Sequence, residues 1–423
     1  MASFAVRNFG CRANQADAFA WAEALGGRGL RLERDWRRSD VVVVHTCTLT
    51  GRADRDVRKF IRAVGRGNPT VRIVVTGCYA ERAPDELASL PGVAAVLPRA
   101  EQGGLVDRVL ALRGPEADAG AADRTGTSDA LKARAFLKIQ DGCDGRCAYC
   151  VIPGVRGPSR SVPPDEVGAS IEDLDRRGFR EIVLAGIHLS SYGADLQPRS
   201  SLPALLAGLG ERAVRARLRL TSLDPRRTDD AFLDGILAGG RICPHVHLAL
   251  QHASERVLRD MGRPVAPGFY EALVERLGRL APDAALGADL MVGFPGETEA
   301  DFEAMRAFLE RSALTYAHIF SYSPRPGTPA AGRAQVPAAA AAARARILRR
   351  VAAAKDYRFR GRFAGRRLEG VVIRRGAGGR GAEILTGNSI KVSVPACAAP
   401  RRETVWVTVR RVLADRTEGE IEA

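Results

Sequence analysis

Four short apolar runs in the first hundred residues, each followed by a stretch of helical pattern, restrict this chain to folds built on parallel sheets. They are FAVRNFG (4–10), DVVVVHT (40–46), TVRIVVTG (70–77) and GVAAVLP (92–98). Unbroken valine and isoleucine runs belong to strands buried on both faces, and parallel neighbours need a crossover between them. The pattern returns further along, in FLKIQ from Phe136, EIVLAGIH from Glu181, RLRLTSL from Arg217, HVHLALQ from His245, ALGADLMVG from Ala285 and AHIFSYS from Ala317. Six strand and helix units are too few for the standard eight-unit barrel, so a partial barrel or an open sheet is expected.

Between the two α/β regions, RGPEADAGAADRTGTSDALK has no apolar period and reads as a linker. Near the other end RRLEGVVIRR, AEILTGNSIKVSVP and ETVWVTVRRVL, with Gly-rich turns, predict a small antiparallel β-barrel. The expected division is 1–113, a linker at 114–132, a central unit at 133–360 and a terminal barrel at 361–423. A length of 423 residues suits two or three domains.

Lys and Arg number 64 against 49 Asp and Glu, a net charge of +15. Eleven basic residues and the single acid Asp356 fall between Arg333 and Arg367. The Ala-rich part of that segment should be helical, presenting a positive stripe suited to a phosphate backbone, or else a solvated surface. No apolar run approaches the roughly 20 residues that span a bilayer, and Met1 to Cys11 lacks a signal-peptide stretch, so the expectation is a cytoplasmic protein without membrane contact. Eight cysteines are too dilute for a disulfide scaffold.

Cysteine spacing carries the chemistry. Cys143, Cys147 and Cys150 form CDGRCAYC just after the first strand of the second region. Three thiolates on one tight loop can hold three corners of a cubane cluster and leave one iron open, with Gly142 and Gly145 letting the backbone bend around it. Zinc is the alternative, although zinc loops generally pair two CxxC elements. Cys11, Cys47 and Cys78 each follow a predicted strand, and in a parallel sheet those ends share the edge where ligands bind. They are read either as a second open site or as buried inert thiols. Cys243 and Cys397 have no partner at ligand spacing and are read as structural. His45, beside Cys47, is a possible ligand, but a satisfied histidine at a strand end accounts for it as well.

CxxxCxxC at the end of a first barrel strand resembles the radical S-adenosylmethionine superfamily. With NFGCRANQADA, HTCTLTGRADRDVRKFIR, TGCYAE and ADLMVGFPGET, the chain resembles the methylthiotransferases nearly end to end. KIQDGCDGRCAYCVIPGVRGPSRS and AGIHLSSYG are most similar to the bacterial branch acting on N6-threonylcarbamoyladenosine in tRNA. The resemblance implies a Rossmann-like amino-terminal domain, a partial (β/α)6 radical domain and a carboxy-terminal TRAM barrel. It implies two [4Fe-4S] clusters: an auxiliary one on Cys11, Cys47 and Cys78, and on Cys143, Cys147 and Cys150 the one that binds S-adenosylmethionine. The implied reaction replaces the C2 hydrogen of the adenine at position 37 with a methylthio group, by a radical that only a cofactor can supply. An electron donor and a sulfur donor are implied partners of unknown identity.

Tyr149 matches the family's aromatic position and is expected near the cofactor adenine. Gly186 and Gly293 are expected either to admit the cofactor close to the backbone or to serve turns. Arg156 and Arg160 are candidate pocket cations or parts of a surface turn. Two places depart from the family: His45 stands where Asn is usual, and LALQHAS, ending in Gln251 to Ser254, replaces a Ser, Gly, Ser run; both bear on substrate preference. The other readings are the same chemistry on another tRNA adenosine or a ribosomal-protein aspartate, and a zinc-stabilised RNA-binding protein without catalysis.

Overall fold

A computed structural model describes residues 2–112, 134–237, 241–376, 380–396 and 403–421. The expected linker and Cys397 lie outside the described residues. In the first unit, strands β1 (Ser3–Asn8), β2 (Arg31–Leu32), β3 (Val41–Thr46), β4 (Arg72–Gly77) and β5 (Val93–Leu97) form one parallel sheet in the order β2-β1-β3-β4-β5. The four expected runs are strands; the two-residue edge strand β2 is too short to leave a pattern. Val41 to Val44 are fully buried because helices α1 (Arg12–Gly27) and α2 (Gly51–Gly67) cover the sheet. Asn8 pairs with His45 and Thr46 with Gly77, so β1, β3 and β4 end level with one another.

The central unit has the six expected strands, β6 (Arg134–Lys138), β9 (Glu181–Ala185), β10 (Arg217–Leu220), β11 (His245–Gln251), β12 (Ala285–Val292) and β13 (Tyr316–Ser321), plus a short hairpin of β7 (Gln140–Asp141) and β8 (Arg160–Ser161). The six are parallel and lie as β10-β9-β6 and β11-β12-β13. Parallel bridges Leu218–Ile242 and Leu223–Leu248 join the halves into an open partial barrel around one apolar core.

The terminal unit is a closed barrel, β14 (Arg367–Arg375), β15 (Arg380–Thr386), β16 (Lys391–Ala396), β18 (Thr417–Ile421) and β17 (Thr404–Val412), of the TRAM kind. The expectation of a purely antiparallel barrel needs correction: β16 and β18 pair in parallel. Five strands in a ring cannot all alternate in direction, so one parallel pair must close it.

The Ala-rich segment is the helix Ala338–Gly361. Its charge is not one outward stripe, as the sequence suggested. Arg344 turns inward to Glu297 at 2.7 Å, the Lys355 ammonium donates to the carbonyls of Glu310 and Ser312, and Arg360 caps the carbonyls of Leu413 and Ala414. Arg346, Arg349, Arg350 and Arg358 remain exposed. Glu181, wholly buried, receives Arg134, Arg217 and Arg219, and the latter two also donate to the carbonyls of Leu385 and Thr386, docking the terminal barrel on the central one. Among the described residues no helix is long and apolar enough to cross a membrane.

Candidate active site

The level strand ends of the first unit place its three cysteines side by side. Cys11 precedes α1, Cys47 follows β3, and Cys78 opens the short helix Cys78–Arg82. Asn14 ties them: its Nδ2 donates to the Thr46 carbonyl at 3.0 Å and its Oδ1 accepts from Cys11 Sγ at 3.4 Å. Burial pushes the Cys47 thiol up to about 12 and raises Cys78 too. His45 is fully buried behind them, with Nδ1 against the Asn14 carbonyl at 3.1 Å and its ring 4.7 Å from Trp21. Burial, aided by Arg156, drives its pKa down to about 3, which makes it a neutral packing histidine.

The second trio sits on a loop whose ends are clamped by β7 and β8. Gly142, at φ +73°, is required there, because a Cβ would lie 1.8 Å from the Pro158 carbonyl. The Cys143 amide donates to the Gly157 carbonyl at 3.1 Å and the Gly145 amide to Cys143 Sγ at 3.3 Å. Burial would raise Cys143, but hydrogen bonds from His188 and Gly145 outweigh it and lower its pKa, whereas burial pushes Cys150 up to about 12. His188 loses by burial and gains more from Asp224 and Cys143, ending at about 9. Asp224 is held in turn by Arg226 and Arg263, and Arg263 reaches Cys147 Sγ at 3.7 Å. His188 lies in the AGIHLSSYG stretch, but Asp224 and Arg263 carried no sequence signal, since only the barrel's closure brings them to the loop.

Arg156 joins the two sets. Only 4% exposed, it donates from Nε to Cys78 Sγ at 3.2 Å, from Nη1 to Asp141 at 2.8 Å, and from Nη2 to Asn14. Cys78 packs with Ile152 and Val155, and Cys143 and Cys150 pack against the same cluster. Cys78 of the first trio therefore meets Cys143 and Cys150 of the second along one seam between the first and central units.

The remaining candidates divide. Tyr149 packs on the barrel core beside Cys147, and burial holds its hydroxyl well above the ordinary range. A Cβ at Gly293, φ +75°, would meet the Ala341 Cβ at 2.6 Å, and one at Gly186 would meet Gln140 and Leu189 at 3.1 Å, so packing alone accounts for both glycines. Arg160 is exposed, pairs with Asp141 in the β7–β8 hairpin and donates to the Arg156 carbonyl. Gln251 takes φ +74° at a bulge, and His252, fully buried, accepts from the Ser254 amide. Cys243 is buried against Glu181, as a structural thiol should be.

A cavity of about 1240 Å³ opens between all three units, lined among others by Cys11 and Arg12, by Phe136, His247 and Tyr316 of the barrel, and by Ser389 of the terminal unit. Among the described residues, the group drawn close enough to grip a single ion is His247, Asp289 and His318, not either cysteine trio. Trios of sulfur donors that leave a fourth corner unfilled, on loops freed by glycine, fit the iron corners of a [4Fe-4S] cube.

Residues 3–98 match the uncharacterized protein family UPF0004 and residues 137–309 the radical SAM superfamily. The threonylcarbamoyladenosine tRNA methylthiotransferase MtaB of Thermotoga maritima is 32% identical, over 86% of this chain and 85% of that protein. The corresponding Aquifex aeolicus protein is 34% identical, over 87% and 92%. The chain belongs to the methylthiotransferase family. Another relative in this family is the ribosomal protein uS12 methylthiotransferase RimO of Moorella thermoacetica, 34% identical over 78% of each chain. In fold, the methylthiotransferase is similar to the radical S-adenosylmethionine methyltransferase TsrM of Kitasatospora setae, with a TM-score of 0.55 at 16% identity over 78% of this chain and 77% of that one. S-adenosylmethionine and [4Fe-4S] clusters are the cofactors of this methylthiotransferase.

Proposed function

We propose that this methylthiotransferase acts in the cytoplasm on tRNA, placing a methylthio group on C2 of N6-threonylcarbamoyladenosine at position 37. The observation that carries this reading is the seam itself: Cys78 of one trio and Cys143 and Cys150 of the other meet at a common apolar cluster, with Arg156 bonded to Cys78. Cys143, Cys147 and Cys150 would hold the cluster that binds S-adenosylmethionine, and Cys11, Cys47 and Cys78 the auxiliary one. When bound, the first pair supplies one-electron chemistry able to take hydrogen from an unactivated carbon.

The chain's own residues do the rest. Cys11 brings its trio to the cavity wall, so a sulfur held there faces whatever occupies the cavity. Arg156 and the ion pairs of Arg325 with Asp54 and Lys138 with Asp17, both at 2.5 Å, hold the first unit over the barrel mouth, which limits water at the reacting carbon. His188, Asp224 and Arg263 fix the Cys143 loop. Exposed arginines of the Ala338–Gly361 helix neutralise phosphates, while the cavity reads the base, which must leave its stack to enter.

The uS12 relative favours a second reading, an aspartate side chain as substrate. One experiment separates them: the anaerobically reconstituted protein is given S-adenosylmethionine with threonylcarbamoylated tRNA or with uS12, and products are read by mass spectrometry. A mass increase of one methylthio group on the nucleoside supports the proposal. Modification of uS12 alone replaces it with the second reading, and a zinc-only protein inert on both removes the enzyme.

A further inference from the structure

Arg12, next to Cys11, lines the large cavity and is exposed to it. Its Nη1 donates to Gln15 Oε1 at 2.8 Å, and among the described residues no carboxylate pairs with it. The other cavity arginines differ: Arg134 and Arg219 are spent on Glu181, Arg360 on Asp356 at 2.7 Å and Arg416 on Glu418 at 2.7 Å. The Arg12 guanidinium stands 5.9 Å from the Phe136 ring centroid, which steadies its plane. A planar fork with free donors in a confined cavity selects a carboxylate, which it can take with two parallel hydrogen bonds.

The same cavity shows two large apolar side chains. Leu49, from the loop after Cys47, is 43% exposed, and Phe320 on β13 is 46% exposed. Faces left bare inside a cavity suit a nucleobase, which stacks on aromatic and apolar surface. The acid on the β12 wall, Asp289, is held by His247 at 3.0 Å and His318 at 3.3 Å, and its charge disfavours a second carboxylate there.

We infer that Arg12 is a specificity-determining residue: it takes the carboxylate carried by the side group of the substrate base, while Leu49 and Phe320 support the base beside the Cys11 trio. This rests on the tRNA reading above, in which the threonylcarbamoyl group supplies the carboxylate and an unmodified adenosine has none. A charged hydrogen bond of this type gives a preference of about tenfold or more.

The test uses the reconstituted full chain and two tRNAs of one sequence, with and without N6-threonylcarbamoylation, and measures Kd for each. Wild-type protein is expected to prefer the modified tRNA by about tenfold or more. Arg12→Ala should erase that preference by weakening the modified tRNA alone, with wild-type iron and sulfide content, and Arg12→Lys should restore part of it. The inference is overturned if Arg12→Ala weakens both tRNAs alike, which marks a phosphate contact, or keeps the wild-type preference. Should Arg12→Ala lose iron, Arg12→Gln against Arg12→Lys carries the same comparison. Wild-type protein that yields no methylthio nucleoside sinks the function itself; normal product with an undisturbed preference in the variants sinks only the role of Arg12.

Discussion

The Nε of Arg156, at the end of the short helix Ile152–Arg156 after the second cysteine trio, donates to the Sγ of Cys78 in the first at 3.2 Å, across 78 residues of sequence. One guanidinium thus touches Cys78 of the first unit while paired with Asp141 on the central unit. Arg156→Ala leaves Asp141 buried with less compensation and should cost about 3 kcal/mol. Denaturant titration of the anaerobic protein checks this; a midpoint within error of wild type would show the pairing to be inert.

Cys143→Ala should abolish 5'-deoxyadenosine formation from S-adenosylmethionine. Cys47→Ala should retain it, lose about half of the iron, and give no methylthio product. Chromatography of the nucleosides and iron assay read both. Methylthiolated tRNA at the wild-type rate from Cys47→Ala would end the auxiliary role.

Glu181 takes three arginines in the interior, and although burial opposes its charge, Arg219, Arg134 and Arg217 hold its pKa well below the carboxylate range. A depressed folded pKa gives stability that is full above the unfolded value, about 4.3, and fades as the pH falls below it. Glu181→Gln should therefore lower stability at pH 7 by about 3 kcal/mol and flatten the decline below pH 4.3. Thermal melts across that range decide it: an equally steep decline in the variant places the acid sensitivity elsewhere.

Arg346 and Arg350 are exposed on the long helix. If each meets a phosphate, Arg346→Gln with Arg350→Gln should reduce the slope of log K against log salt by about 2 for tRNA. An unchanged slope would move the RNA path to another face.

Gly293→Ala should lower stability by about 2 kcal/mol, through its φ of +75° and the approach to Ala341. Melting temperature and S-adenosylmethionine affinity are measured together. An unmoved melting temperature with weakened cofactor binding would return Gly293 to the cofactor.

The sequence displayed the strands and the six cysteines because both depend on local pattern: period-two and unbroken apolar runs, and residues fixed just beyond strand ends. It did not display Asp224 and Arg263 around Cys147, or Asn14 between Cys11 and Thr46, because nothing nearby in sequence distinguishes a residue that tertiary closure puts to use. The Ala338–Gly361 helix misled for a related reason. Composition counts Arg344 and Arg360 as surface charge, whereas their partners Glu297 and the carbonyl of Leu413 lie 47 and 53 residues away.

Cys47 and Cys78 are only 8% and 5% exposed, shut in where the two α/β units meet. Whatever assembles on those thiols is met from the Cys11 side, where the trio reaches the cavity. Loosening the seam would open a second approach to the trio and remove the burial that now keeps Cys47 and Cys78 from solvent.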